Sequence, residues 1–349
     1  MRALSRSEVV LPPDVPFRGV HERLSLAFER MSQGSLDAVG DLLLMESDYQ
    51  NHLDEPSAAG AVYYSMGIRS TTEGNVERTI SILSDIVTLY DKWKHSYPDD
   101  EVEASGPVSQ ALVNKGYCLG TLGRYEEELS IYDEVVSRYG GRQEPELAQQ
   151  AARALVRKGV LLKETGHGEA SLSVFDEVVS RYGDRQEPGL AEQVAKAFFN
   201  KGAYLGTLGR REEEVLVYDE VVSRYGDRQE PGLAQEIART LVNRGVSLLE
   251  LGRSEEQISV YEEVVRRYGD RQEPGLAEQV AKALINKGLY LSTLGRSEQD
   301  LSVYDEVVSR YSHFQEPGIA EKVASALGNK GFVSGSWASA RNPFRFSPM

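Results

Sequence analysis

The chain of 349 residues carries 39 Lys and Arg against 54 Asp and Glu, so its formal net charge is −15, and this charge argues against nucleic-acid binding by the chain as a whole because it repels phosphate. A single cysteine, Cys118, excludes an intramolecular disulfide and a cysteine-rich zinc site. The apolar runs are far shorter than the ~20 residues of a membrane helix, and we therefore expect a cytoplasmic protein that does not act at a membrane.

The N-terminal third precedes the regular part of the sequence. Two amphipathic segments within residues 20–45 predict helices, and we assign residues 1–55 to an N-terminal helical cap. Residues 56–103 are interpreted as a degenerate helix pair, in which Tyr90 and Tyr97 resemble the aromatic spacing of the later repeats.

From residue 104 to residue 335 the sequence repeats with a period of 43 residues. Two dipeptide markers, Lys/Arg-Gly and Glu-Pro, share this period with the segment YDEVVSRYG. The first aromatic residue of that segment and its equivalents are Tyr132, Phe175, Tyr218, Tyr261 and Tyr304. Three markers with one period predict an array of tandem repeats.

Each repeat is predicted to form two antiparallel helices, helix A and then helix B. Helix A begins at the proline of Glu-Pro, a residue that suits the first helical position, and ends before a glycine that suits the left-handed conformation. These glycines are Gly123, Gly166, Gly209, Gly252 and Gly295. Helix B has an acidic first turn and an apolar stripe, which includes Tyr132, Val135 and Tyr139 in the first repeat.

A glycine also recurs in the middle of helix A, after the Lys or Arg of the second marker. Such a glycine costs about 1 kcal/mol relative to alanine in a helix. We therefore predict that it lets the aromatic residue of helix B pack closely against helix A.

This pattern resembles the tetratricopeptide repeat, in a long form similar to that of kinesin-light-chain-like bacterial arrays. The residues that carry the resemblance in the first repeat are Leu112, Gly116, Leu119, Gly123, Tyr132 and Val135. The resemblance implies an all-α, right-handed superhelical solenoid of antiparallel helix pairs, with helices A on its concave surface. Two positions depart from the family pattern: the leucine before the helix A glycine is Lys or Arg here, and the usual small residue of helix B is replaced in successive repeats by Glu128, Ser171, Glu214, Gln257 and Asp300.

No catalytic or cofactor motif is recognised in the sequence. It has no phosphate-binding loop of the GxxxxGK[ST] type, no GxSxG elbow and no histidine pair with metal-ligand spacing. The acidic triplets 126–128 and 212–214 are interpreted as solvated first turns of helix B, and Cys118 as a buried residue without a catalytic role. We expect a protein that is not an enzyme and needs no cofactor.

Two rows of polar residues are predicted along helices A, four residues apart and therefore on one helix face. The asparagine row consists of Asn114, Arg157, Asn200, Asn243, Asn286 and Asn329. The basic row consists of Arg153, Lys196, Arg239 and Lys282. The resemblance places the asparagines where several members of the family hold a peptide backbone, and the cations close to positions of carboxylate clamps.

These rows favour a non-catalytic scaffold that binds an extended, acidic peptide segment of a protein partner. An alternative is that the asparagines bond between neighbouring helices and the cations balance the acidic helices B. Alternative functions are a sensor or adaptor segment of a larger bacterial signalling or defence protein, and a peptide-pheromone sensor. The sequence does not define the oligomeric state.

The last residues, 336–349, leave the repeat pattern and are predicted to be irregular. Codons can be chosen for residues 335–349 such that reading them from the third base of the first codon gives a different frame. This shifted frame encodes QLGERPESLSVFAD, which restores the repeat. We interpret the tail as a frame-shifted end of a longer array; a genuine irregular tail is the alternative. Either way, the last helix A lacks a helix B and should expose part of its apolar face.

Overall fold

The computed structural model describes residues 76–93 and 101–341, and within these ranges it contains helices and no strands. The predicted cap and much of the predicted degenerate pair lie outside the described residues. The helices are α1 Val76–Trp93, α2 Glu101–Thr121, α3 Tyr125–Tyr139, α4 Pro145–Glu164, α5 Gly168–Tyr182, α6 Pro188–Thr207, α7 Arg211–Tyr225, α8 Pro231–Glu250, α9 Ser254–Tyr268, α10 Pro274–Thr293, α11 Ser297–Tyr311 and α12 Pro317–Arg341. The chain divides into two compact units, residues 1–161 and 162–349.

In the first unit, α2 packs against both α1 and α3. The Arg138 guanidinium of α3 donates to the Asp91 carboxylate of α1 at 2.7 Å, which ties the two helices together. Cys118 is buried in α2, and burial raises the pKa of its thiol, as expected for an unreactive core residue.

The second unit is built from successive helix pairs. Each helix A packs against the helix B that follows it, as in α6 with α7, α8 with α9 and α10 with α11, and successive helices A also pack together, α6 with α8, α8 with α10 and α10 with α12. The prediction of an all-α solenoid of antiparallel helix pairs is confirmed.

The signals for helix ends act as predicted. Helices A from α4 onward begin at the proline of Glu-Pro. The glycines after helices A adopt positive φ, between 69° at Gly295 and 85° at Gly166, and no other residue type in the described part of the chain does. A glycine thus reverses the chain between helix A and helix B.

The glycine in the middle of helix A is in close contact with helix B. A Cβ atom on Gly288 would lie 2.7 Å from the buried Tyr304 ring, and one on Gly116 would lie 2.5 Å from the Tyr132 ring. The predicted packing role of this glycine is therefore confirmed, since any larger residue would displace the tyrosine.

Helix α12 occupies the helix A position of a repeat whose helix B is not present in the described part of the chain. Leu327 is 51% exposed, although Leu284, its equivalent in α10, is 2% exposed. A Cβ atom on Gly331 would meet no atom of another helix within 4 Å among the described residues. The predicted bare face is confirmed. The helix continues to Arg341, and the residues after it lie outside the described part.

The interpretation of the acidic triplets as solvated turns is wrong for the third residue of each triplet. Glu128 and Glu214 are buried, because they stand one turn before the buried tyrosine on the inner face of helix B. The Tyr132 hydroxyl donates to Glu128 at 2.9 Å, and Arg211 donates to Glu214 at 2.7 Å. We refer to the five buried residues at this position as the interior polar row: Glu128, Ser171, Glu214, Gln257 and Asp300.

Candidate functional site

The basic row and the asparagine row both lie on helices A, at i and i+4 of the same face. The structure adds a third row at i+7, which the sequence analysis missed. This apolar row consists of Tyr117, Val160, Ala203, Val246, Leu289 and Phe332, and all six residues are partly or largely exposed. Its 43-residue period and its place one residue after the glycine were signals that could have revealed it. In each unit, the three rows form what we call the helix A surface.

In the first unit, the helix A surface contains Asn114, Arg153 and Arg157. Arg157 takes the place of an asparagine, is exposed, and holds its guanidinium 5.1 Å from the centre of the Tyr117 ring. Asn114 and Arg153 are half-buried.

In the second unit, the asparagines bond within the protein. The Asn200 amide donates to the backbone oxygen of Lys196 at 2.8 Å. Asn286 and Gln257 lie beside the Tyr261 hydroxyl of the preceding helix B. Burial raises the pKa of this hydroxyl, and its interactions with Gln257 and Asn286 lower it. These contacts favour a structural role for Asn286, although an amide with two N–H donors and a carbonyl oxygen keeps free capacity.

Asn243 has a similar environment beside Tyr218. Burial raises the pKa of Tyr218 and the Glu214 carboxylate raises it further, while the nearby Asn243 opposes these effects. The Tyr218 hydroxyl is buried and has no hydrogen-bond partner among the described residues. Asn329, on α12, is half-buried. Asn200 differs from Asn243 and Asn286, because its described hydrogen bond lies within its own helix.

The basic row of the second unit is partly neutralised by carboxylates. Lys196 pairs with Glu192 at 2.5 Å, and Arg239 pairs with Glu236 at 2.8 Å. The Arg239 guanidinium also lies over the Phe199 ring, 3.7 Å from its centre. These contacts hold two cations in place on the helix A surface.

Lys282 differs from the other members of the basic row. It is half-buried, and among the described residues no carboxylate lies within ion-pair distance of its ammonium group. Its pKa is lowered, mainly by burial and then by repulsion from Lys322 and Arg239, while Glu278 opposes the shift. The structure therefore places at Lys282 a positive charge that has no ion-pair partner among the described residues.

The described residues contain no group of three or more histidine, cysteine or acidic side chains arranged to hold a metal ion. No helix in the described ranges is long and apolar enough to cross a membrane. The chemistry that the helix A surface offers is therefore hydrogen bonding by amides, charge and apolar contact.

Two segments of the chain, residues 109–140 and 238–270, match the model of the family described as Tetratricopeptide repeat. They correspond to the repeats of α2–α3 and α8–α9. No curated protein matches the chain.

Solved structures with a similar fold include BtubC (BKLC) from P. vanneervenii, at 15% identity and a TM-score of 0.51, with 78% of this chain and 95% of that chain covered. The apo form of RapI is similar at 11% identity and a TM-score of 0.56, with 93% of this chain and 97% of that chain covered. At these identities the likeness concerns the fold.

Proposed function

Because the chain contains tetratricopeptide repeats, we propose that it is a non-catalytic protein-interaction scaffold that binds an extended, acidic peptide segment along the helix A surface. The observation that carries the proposal is the arrangement of the second unit, where a basic, an amide and an apolar row run side by side on helices A. An extended backbone offers both N–H and C=O groups, and an asparagine amide can bond to either.

The three rows have different parts in this proposal. The asparagine row bonds to the backbone of the segment, the basic row attracts its carboxylates, and the apolar row covers its apolar side chains. Each hydrogen bond contributes about 0.5–1.5 kcal/mol net, so several of them with charge-assisted contacts reach micromolar affinity.

The proposal can be tested by selecting ligands for the full chain from a random library of 12-residue peptides and measuring the affinity of the selected peptides by fluorescence anisotropy. We expect the selected peptides to be rich in Asp and Glu and to lose affinity as salt is added, because part of the attraction is electrostatic. A selection that yields no peptide, or peptides whose binding does not respond to salt, would contradict an acidic ligand.

The variant Asn200→Ala then tests the surface itself. Its only described side-chain bond lies within α6, so its removal should leave the melting temperature nearly unchanged and weaken peptide binding by about 1 kcal/mol. Ser259→Ala, an exposed position on α9, is the matched control and should change neither quantity. Equal affinities for the two variants would place the peptide elsewhere.

A further inference from the structure

One face of α12 is exposed although the equivalent face of α10 is buried. The residues of this face follow one another at intervals of three or four positions, and all of them are exposed. We call them the α12 stripe: Ala320, Ala324, Leu327, Gly331 and Ser334. Their equivalents in α10 are all buried: Ala277, Ala281, Leu284, Gly288 and Leu291. In α10 the following helices α11 and α12 supply the cover, whereas the described helices that pack against α12 are α10 and α11, which precede it.

The helix B that covers this face makes the same contacts in successive repeats. In α6, a Cβ atom on Gly202 would lie 2.4 Å from the Tyr218 ring of α7, and the same close approach recurs in α8 with α9 and in α10 with α11. The position of Leu327 is also covered by helix B. In α6 it is occupied by Phe198, and the Arg224 guanidinium of α7 lies 5.6 Å from the centre of its ring. The α12 stripe is therefore the next surface in a series whose earlier members each hold a helix.

The residues with which a helix B covers helix A define what fits the α12 stripe. In α9 they are Tyr261, Val264 and Tyr268, spaced by three and four residues and all buried. Phe175 takes the first of these positions in α5, so the position needs an aromatic ring and not a hydroxyl group. The pattern is that of an amphipathic helix with an aromatic residue, a β-branched residue and a second aromatic residue along its apolar face.

We propose that the α12 stripe is a docking site for an amphipathic helix of another protein, with the apolar pattern of a helix B. The first aromatic ring of that helix lies over Gly331, and its apolar face covers Leu327. The interface thereby continues the series formed by α6 with α7, α8 with α9 and α10 with α11. Asn329 and Phe332 of the helix A surface lie on a different side of α12, so this docking is independent of the peptide proposed for that surface.

The other described helices of the second unit do not offer a free helix of this type. The helices B α7, α9 and α11 each pack against their own helix A, so a second copy of the chain would have to release one of them before it could supply it. A partner segment has no such cost if it is unfolded until it binds, because a short helix is marginal in water and forms as it buries its apolar face. This difference favours a partner protein over self-association.

The experiment uses a helix B of this chain as the probe. A fluorescein-labelled 17-residue peptide has the sequence of residues 253–269, which includes α9 and carries the uncharged Gln257 in the interior polar row. A second peptide has alanine in place of Tyr261. We expect the first peptide to bind the full chain in fluorescence anisotropy, and the second to bind at least tenfold more weakly, because the aromatic ring is the anchor of the interface.

Two leucine variants of the full chain then locate the bound peptide. Gly331→Leu fills the space that the aromatic ring needs and should weaken binding at least tenfold. Ser325→Leu adds the same side chain to an exposed position of α12 outside the stripe, and should change the affinity less than twofold. Both variants should melt close to the wild-type temperature, since both positions are exposed. If Gly331→Leu lowers the melting temperature, Leu327→Ala replaces it in the comparison and should weaken binding severalfold.

Three results would overturn the proposal. The first is that the peptide does not bind, and the second is that Gly331→Leu and Leu327→Ala bind it as tightly as the wild type does. The third is a wild-type dimer in sedimentation velocity that Gly331→Leu converts to a monomer, because it would assign the α12 stripe to a second copy of the chain. A wild-type monomer that binds the peptide through Gly331 and Leu327 would support a partner helix.

Discussion

At the residue scale, the buried glutamates of the interior polar row lie opposite glycines of helix A. In the two repeats where helix B buries a glutamate, the facing helix A residue is a glycine: a Cβ on Gly120 would lie 2.7 Å from the Glu128 carboxyl carbon, and one on Gly206 would lie 2.6 Å from a Glu214 oxygen. Where the buried residue is Ser171, Gln257 or Asp300, the equivalent helix A residue has a side chain. The glycine thus makes room for the longer carboxylate.

Asp300 has the least favourable environment in this row. It is fully buried, and neither of its carboxylate oxygens has a hydrogen-bond partner in the described part of the chain. Burial of Tyr304 and the charge of Asp300 raise the pKa of the Tyr304 hydroxyl to about 12. Glu128 bonds to the equivalent tyrosine, but Asp300 is one methylene shorter.

We predict that Asp300→Glu and Ser292→Gly are coupled. Asp300→Glu alone should give no gain, because the longer side chain meets Ser292, and Ser292→Gly alone should destabilise α10 by up to about 1 kcal/mol. The double variant recreates the arrangement of Gly120 and Glu128 and should be about 1 kcal/mol more stable than the sum of the single changes predicts. Urea unfolding of the four proteins measures this coupling, and additive effects would contradict the proposed match.

At the scale of the helices, the packing of a glycine in the middle of helix A depends on whether a helix B covers it. Gly288 in α10 and Gly331 in α12 occupy the same position of the repeat. A Cβ atom on Gly288 would meet Tyr304, whereas one on Gly331 would meet no other element in the described part of the chain. The comparison separates the intrinsic cost of a helical glycine from its packing role.

We expect opposite effects of alanine at these two positions. Gly288→Ala forces the buried Tyr304 ring to move and should cost about 1–3 kcal/mol, as overpacked core positions do. Gly331→Ala should leave stability unchanged or raise it by up to about 1 kcal/mol, because alanine is the better helix former. Chemical unfolding checks both, and a destabilising Gly331→Ala would show that α12 has a close neighbour in solution.

The sequence was sufficient to predict the helix ends, because proline and glycine act through the local backbone. It also predicted the contact of the mid-helix glycine, since only close packing explains a repeated unfavourable residue. It did not reveal that Glu128 and Glu214 are buried, because an acidic first turn has the same pattern whether its third residue faces water or the core. That distinction depends on the glycine opposite, which a reading of helix B alone does not include.

At the scale of the whole molecule, repeats with identical segments have different charged residues around equivalent lysines. The i, i+4 spacing was enough to predict the asparagine and basic rows on one face, and both remain predictions as binding residues. Lys196 is ion-paired with Glu192, whereas Lys282 has no ion-pair partner among the described residues, and their identical segments could not predict this contrast. Lys196 also lies near Glu236 of α8, and Lys282 near Lys322 of α12. Repeats with the same local sequence therefore differ in the charges that surround them.

The turns before helices A repeat one contact between an arginine and the glutamate of Glu-Pro. In the second unit, Arg228 donates to Glu230 at 2.5 Å and to the backbone oxygen of Gln186 in the preceding turn at 3.2 Å, so it links neighbouring repeats. The bond from Arg228 lowers the pKa of Glu230 to about 2. The equivalent bonds also lower the pKa values of Glu187 and Glu273.

These lowered pKa values predict a loss of stability in acid. A carboxyl group whose pKa is lower in the folded state stabilises the fold at pH values above its unfolded pKa, about 4.5 here, and that contribution disappears as the pH falls towards 2. The free energy of unfolding should therefore fall over this range in the wild type, and less steeply in Arg228→Gln, which removes the bond that lowers the pKa of Glu230. Arg266→Gln is the matched control, because it removes the same charge from an exposed position on α9. Urea unfolding at a series of pH values measures the slopes; if Arg228→Gln were as steep as the wild type, the turn contact would not be the source of the acid sensitivity.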